Sequence, residues 1–217
     1  MKWKLVIFDL DGTLANTIED LGTAVNFALE SKGLPTHPIE AYKLMVGNGM
    51  RNLVYRAMPD DRKEDKALWD ELLKIFLGYY YEHITVHSRP YAGMVELLEG
   101  LCDAGVKVAV ASNKIQRGTE ELMARLFPRV KFASVLGGRD GVPLKPDPAV
   151  VKEILAASGV AAEDAVLVGD SATDTATAAN AGVLSIAVTW GFRPEDAAST
   201  SDFTVERVSD LRRLLLQ

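Results

Sequence analysis

Cysteine is nearly absent: Cys102 stands alone among 217 residues. An internal disulfide and a cysteine-built metal cluster are therefore both excluded. Cys102 falls where Glu99-Gly100-Leu101-Cys102-Asp103 reads as a helix end, and it is expected as a small buried apolar group. Histidine is scarce too, with three residues. His83 and His87 have the i, i+4 spacing of a helical metal pair, but no Glu follows His83 as in the metalloprotease pattern. Both read as surface or hinge residues, and His37 falls in a proline-rich turn. Long apolar runs are missing. Met1-Lys2-Trp3-Lys4 and then the short apolar run Leu5 to Phe8 precede Asp9, too little for a signal peptide or a membrane anchor. An excess of basic residues is missing as well. With 24 Lys and Arg against 30 Asp and Glu the net charge is −6, which argues against a broad nucleic-acid footprint while leaving room for a local basic pocket. These absences describe a soluble cytoplasmic protein, monomer or homodimer, with neither nucleic acid nor membrane as partner. At 48% apolar and 25% charged residues the chain matches ordinary globular domains, and its length allows a sizeable core in two domains.

What is present is concentrated in Phe8-Asp9-Leu10-Asp11-Gly12-Thr13-Leu14. The apolar run Leu5-Val6-Ile7-Phe8 before it reads as a buried strand. Two carboxylates follow two residues apart, and side chains at that spacing project to the same side if the chain stays extended. Two acids placed together at a strand end are costly unless a cation or a shared proton compensates. The pair therefore points to a site rather than to packing.

After Leu14 the periodicity is helical for about seventy residues. Thr17 followed by Asp20 resembles a capping box with Asp for Glu. Leu21, Val25, Ala28 and Leu29 then recur at helical spacing, and Gly33 ends the run. A short helix through Leu44 and Met45 is expected to stop at Gly47-Asn48-Gly49. Another passes through Leu53 and Ala57. A longer one starts at Pro59-Asp60-Asp61 and carries Leu68, Leu72, Ile75, Phe76 and Tyr79 on one face. From Arg89-Pro90 strands and helices alternate. Strands are expected at Val106–Ala111, Phe132–Leu136, Ala165–Val168, Leu184–Val188 and Phe203–Val205. Helices are expected at Met94–Cys102, Thr119–Leu126, Pro148–Ser158, Thr173–Ala181 and Val208–Leu215. That alternation predicts an α/β fold, a Rossmann-like parallel sheet with helices on both faces, into which an all-helical segment is inserted. The division is 1–14 and 86–217 for the α/β core and 15–85 for the helical insertion.

In parallel sheets ligands bind beyond the carboxyl ends of the strands, so the polar residues there should form one chemical set. They are Asp9 and Asp11, then Ser112-Asn113-Lys114, then Lys145-Pro146-Asp147-Pro148, then Gly169-Asp170-Ser171-Ala172-Thr173-Asp174. Taken singly, each is an ordinary feature: a turn pair, a helix N-cap, a solvated lysine. Together they are acids, a hydroxyl, an amide and a lysine, without imidazole or thiolate. Hard carboxylate oxygens suit Mg²⁺, which keeps its waters and often meets a substrate phosphate. A lysine and a hydroxyl beside it suit the other phosphoryl oxygens.

The order of these four motifs, with a helical block between the first and second, resembles the haloacid dehalogenase superfamily and its phosphoglycolate-phosphatase-like members across nearly the whole chain. The resemblance implies that the first and fourth motifs lie on neighbouring central strands and that residues 15–85 are a helical cap. It implies a phosphatase acting on a small phosphorylated metabolite, phosphoglycolate foremost. Asp9 is then the nucleophile that forms an aspartyl-phosphate. Asp11 protonates the leaving alkoxide and later takes a proton from water. Mg²⁺ is held by Asp9, the Asp11 backbone carbonyl and Asp170, with Asp174 either a ligand or a residue that orients one. Ser112 and Lys145 hold phosphoryl oxygens, Lys145 also offsetting the Asp9 charge.

Gly12 permits the sharp exit from the strand and, with Thr13 and Asn113, joins the substrate-binding set. Gly47-Asn48-Gly49-Met50-Arg51 resembles a phosphoglycolate-phosphatase cap segment. Lys43, Arg51 and Arg56 are the nearby cations that can meet a substrate carboxylate, although each alone reads equally well as part of a solvated helix face. The hinges are expected near Ala15–Thr17 and Thr85–Pro90. Relatives often carry Asp-Ser where this chain has Asn16-Thr17, which leaves specificity open. Asp11 argues against a dehalogenase. A sugar-phosphate mutase of the same superfamily and a phosphorylatable receiver-like signalling domain are the alternatives.

Overall fold

The computed structural model describes residues 3–216; positions 1, 2 and 217 of the expected core lie outside the described residues. The chain begins with β1 (Leu5–Phe8), then β2 (Ala15–Asn16), α1 (Ile18–Glu30), α2 (Met50–Ala57), α3 (Lys66–His83), β3 (Arg89–Pro90) and α4 (Met94–Asp103). It continues through β4 (Lys107–Ile115), α5 (Gln116–Leu126), β5 (Ser134–Gly138), α6 (Ala149–Ser158), β6 (Ala165–Gly169) and α7 (Ala172–Ala181). It ends with β7 (Leu184–Val188), α8 (Pro194–Ala198), β8 (Phe203–Val205) and α9 (Val208–Leu215). Short 3₁₀ turns occupy Ile39–Leu44, Asp60–Arg62 and Ala162–Asp164.

Six strands form one parallel sheet in the order β5-β4-β1-β6-β7-β8. This is the Rossmann-like α/β fold that the strand–helix alternation predicts. β1 is central and buried on both faces. Val6 and Phe8 enter the larger apolar cluster, Leu5 and Ile7 the other, as the two-residue period of a strand dictates. β1 pairs with β4 on one side and β6 on the other, so the first, second and fourth motifs leave three adjacent strands. The third motif enters from the loop after β5, next to β4.

Between β2 and β3 every regular element is helical, and α1 and α3 pack together. Leu21, Val25, Leu29, Leu72, Phe76 and Tyr80 are buried there, each stabilising the helical segment by about 1.5–3 kcal/mol. No described helix is long and apolar enough to cross a membrane. The two connections that flank the helical segment run side by side, with Ala15 opposite Pro90 and Asn16 opposite Arg89 in an antiparallel ribbon.

Several elements differ from the sequence reading for local reasons. β4 runs on to Ile115, with a register shift against β5 between Ala111 and Ile115, so Ser112, Asn113 and Lys114 sit in a strand irregularity rather than after its end. β5 starts at Ser134 and takes in Gly137 and Gly138, beyond the expected end at Leu136. A side chain at Gly137 would collide with the Lys114 carbonyl and the Thr119 hydroxyl, so glycine allows the two strands to meet. The expected helix from Pro59 is a 3₁₀ turn followed by α3, which begins where the Asp65 carboxylate accepts the Leu68 N–H at 3.0 Å. Thr17 and Asp20 do not form a capping box. Asp20 accepts hydrogen bonds from the His87 N–H (2.9 Å), the Ser88 N–H (2.8 Å) and the Ser88 hydroxyl (2.6 Å), so it ties the returning connection to α1. Cys102 is half-buried rather than fully buried.

Candidate active site

The Asp9 N–H donates to the Val168 carbonyl at 2.9 Å, which extends the β1–β6 ladder by one residue and fixes where the Asp9 side chain emerges. Oxygen atoms of Asp9, Asp170 and Asp174 lie within 4.8 Å of one another, and all three residues are buried. Lys145 is the counter-charge. Its Nζ donates to Asp9 Oδ1 (2.9 Å), Asp174 Oδ1 (2.7 Å) and the Ala111 carbonyl (2.7 Å). The second oxygen of Asp9 accepts no hydrogen bond among the described residues.

Each acid is positioned by a different device. Asp170 accepts from the Phe192 N–H at 2.6 Å and from the Thr13 hydroxyl at 3.3 Å. Gly12 has φ +91°, and a Cβ there would collide with the Asp170 carboxylate, so conformation and space both require glycine. Asp174 Oδ2 accepts the Ser171 hydroxyl (2.7 Å) and N–H (3.2 Å) at the start of α7. The helix-capping reading of Asp174 and its membership of the acid cluster are thus both true, on different oxygens.

Burial dominates the electrostatics. It pushes the Asp9 carboxyl up to about 8; Lys145 opposes that, and the Asp174 and Asp170 charges add to it. Burial also raises Asp170 to about 6, with the Asp174 charge adding and the Phe192 N–H, Arg193 and Thr13 opposing. Lys145 shows the reverse balance. Burial disfavours its charge, but Asp174 and Asp9 outweigh burial and hold its pKa above the ordinary lysine value. One ammonium bonded to two of three buried carboxylates, with only the Arg193 charge opposing at the third, leaves a site short of positive charge. With oxygen donors only, that deficit fits a hard divalent cation.

Asp11 is not part of this cluster. Lys114 Nζ donates to both its oxygens at 3.0 Å, and the Thr17 hydroxyl donates to Oδ1 at 2.5 Å. The Lys114 ammonium lies 5.1 Å from the centre of the Tyr80 ring of α3, within cation–π range. Asp9, Asp11, Ser112, Asn113, Lys145, Asp170, Asp174 and Lys43 do line one pocket between the sheet and the helical segment.

Other expected residues fall elsewhere. Arg51 does not line the pocket: it pairs with exposed Asp70 at 3.0 Å and stacks over Trp69. Arg56 donates to the Met45 carbonyl. Thr13 is fully buried and faces Asp170. Asn113 lines the pocket, but its amide is engaged by protein: Nδ2 donates to the Gly47 and Lys145 carbonyls, and Oδ1 accepts the Lys145 N–H. Two cations of the pocket were given no role by the sequence reading. Lys114 was visible beside Ser112-Asn113, but its partner was not. Arg193 had no motif around it to single it out.

Comparison with known proteins agrees with this geometry. Residues 6–188 match the family model of haloacid dehalogenase-like hydrolases. Phosphoglycolate phosphatase of Neisseria meningitidis serogroup A is 34% identical over 201 residues, covering 92% of this chain and 86% of that protein. Phosphoglycolate phosphatase of Mesorhizobium japonicum is 34% identical over 222 residues, covering 99% of this chain and 98% of that protein. A crystal structure from Lactobacillus delbrueckii subsp. bulgaricus superposes with a TM-score of 0.91 at 30% identity over 99% of both chains. The chain is an enzyme and belongs to the haloacid dehalogenase-like hydrolase family.

Proposed function

We propose that this phosphatase hydrolyses a small phosphomonoester, phosphoglycolate foremost, through an aspartyl-phosphate on Asp9 and with Mg²⁺ as cofactor. The observation that carries the reading is the pocket chemistry: Asp9 at the end of the central strand, oriented through one oxygen by Lys145, with its other oxygen unengaged. Names of relatives at about 34% identity over nearly the whole chain support phosphoglycolate.

In this reading the free oxygen of Asp9 attacks phosphorus, the ester oxygen leaves, and the phosphoryl group is carried on Asp9. Lys145 keeps Asp9 aligned and faces the phosphoryl oxygens, and the Ser112 hydroxyl meets another of them. Asp11 protonates the departing alkoxide and afterwards removes a proton from the water that cleaves the acyl-phosphate. Thr17 and Lys114 orient its carboxylate for that work. Asp9, Asp170 and the Asp11 carbonyl would hold Mg²⁺, with Asp174 beside them. The ion would supply charge neutralisation for the phosphoryl group in a buried acidic site. Residues 15–85 act as the cap that closes over it.

The test is phosphate release from a panel of phosphorylated metabolites, with Mg²⁺ and with chelator. The reading expects Mg²⁺-dependent turnover with phosphoglycolate at or near the highest kcat/KM. If no ester is turned over above an Asp9→Asn control, the reading fails.

A further inference from the structure

We infer that Arg193 selects the substrate by binding a carboxylate carried on the leaving group; the inference rests on the phosphatase reading of the same pocket. Four cations line that pocket: Lys43, Lys114, Lys145 and Arg193. Three are already paired. Lys145 is bound to Asp9 and Asp174, Lys114 to Asp11, and Lys43 to Glu40 at 2.6 Å. Arg193 makes no hydrogen bond or ion pair among the described residues, and its one charge partner is Asp170, which it influences without contact.

Arg193 is nonetheless held in place. It follows Trp190-Gly191-Phe192, a loop fixed to the catalytic strand ends at two points. Trp190 Nε1 donates to the Thr13 carbonyl at 3.1 Å, and the Phe192 N–H donates to Asp170 at 2.6 Å. At its outer end the guanidinium packs on Gly47 of the helical segment, where φ is +109° and any Cβ would collide with it. The Gly47 carbonyl in turn accepts from Asn113. The arginine therefore spans the seam between sheet and helical segment. Leu21, Val46, Met50, Leu53 and Phe192 make the pocket wall apolar, which strengthens a charged hydrogen bond made there.

A planar guanidinium with free donors matches a carboxylate in a two-bond fork. A pocket with Lys145 at the phosphoryl end and, at the seam, a guanidinium whose N–H donors are unengaged fits a short monoester with an anionic group at each end. The sequence-derived candidate for this task, Arg51, is turned to Asp70 instead.

The experiment compares 2-phosphoglycolate with 2-hydroxyethyl phosphate, a neutral-tailed ester of nearly the same size, in the full-length enzyme with Mg²⁺. The wild type should prefer the carboxylated ester, and Arg193→Gln should reduce the kcat/KM ratio of the two by about ten- to a hundredfold, mainly through KM. Arg193→Lys should recover part of the ratio. A wild type without preference, or a variant that slows both esters by the same factor, overturns the assignment while leaving a phosphatase. An enzyme that hydrolyses no monoester at all removes the phosphatase reading and this inference with it.

Discussion

Lys114 Nζ lies 3.0 Å from both carboxylate oxygens of Asp11, and the pair is closed off by Thr17 on one side and Tyr80 on the other. The two acids of the Asp-Leu-Asp motif thus have separate lysines: Asp9 faces Lys145 and Asp11 faces Lys114. If Asp11 moves protons, Lys114 sets its orientation. Lys114→Met keeps the aliphatic stem and removes the ammonium. It should lower kcat by about ten- to a hundredfold with a smaller effect on KM. Steady-state rates at saturating Mg²⁺ measure this, and a kcat within twofold of wild type would remove Lys114 from the mechanism.

The raised carboxyls of Asp9 and Asp170 give the stability of the metal-free protein a defined pH dependence. Their folded-state pKa values, about 8 and about 6, stand above the ordinary 3.8. Between those limits the native state binds protons that the unfolded chain has released, so unfolding free energy decreases as pH rises. Their contribution is complete below pH about 4 and is lost as pH climbs through about 6 and then about 8. In chelator, Tm should fall from about pH 5 to about pH 8.5, and Asp9→Asn should flatten the fall. A cation that replaces those protons should raise Tm more at the upper end of that range than at the lower. A metal-free Tm that rises over this range in wild type but not in Asp9→Asn contradicts the burial argument.

Gly12→Ala tests the packing behind the metal-binding acids. The substitution strains a backbone at φ +91° and drives a methyl group into the Asp170 carboxylate. It should cost about 1–3 kcal/mol of stability and lower kcat/KM by at least about a hundredfold, because Asp170 must move. Thermal melts and turnover read the two effects, and an active Gly12→Ala enzyme would show that Asp170 is not held as described.

Asp20→Ala probes the returning connection. It leaves the His87 and Ser88 N–H groups without their acceptor in a site where Asp20 is 3% exposed. A loss of about 2–4 kcal/mol is expected, read by urea denaturation. Ser88→Ala, which removes one of the three hydrogen bonds and keeps the backbone pair, should cost about 1 kcal/mol. Equal costs for the two variants would mean that the backbone bonds contribute little.

The core of this protein was legible because its signals are local. Val6 and Phe8 against Leu5 and Ile7 spell a strand buried on both faces, and Asp9 follows that apolar run directly. The α/β architecture and the helical insertion follow from that, whereas the gathering of Asp9, Lys145, Asp170 and Asp174 was expected only from the family resemblance, which implied neighbouring central strands for the first and fourth motifs. What the sequence hid depends on tertiary pairing. Asp20 looked like a helix cap because its true partners are 67 and 68 residues away. The strand expected at Phe132–Leu136 stopped short of Gly137 because the reason for that glycine, close approach to Lys114 and Thr119, lies on other elements. Arg51 looked like a substrate cation until Asp70 and Trp69 supplied partners one helix over. Arg193 carries no motif, and its place at the seam comes from the hydrogen bonds of its neighbours.

Turnover of 2-phosphoglycolate by Asp9→Asn measured against wild type, with Mg²⁺ present, tests the central claim most directly. The account predicts Mg²⁺-dependent hydrolysis by the wild type and a loss of at least about a thousandfold in the variant with its fold intact. An Asp9→Asn enzyme that retains the wild-type rate, or a wild type that releases no phosphate, would contradict it.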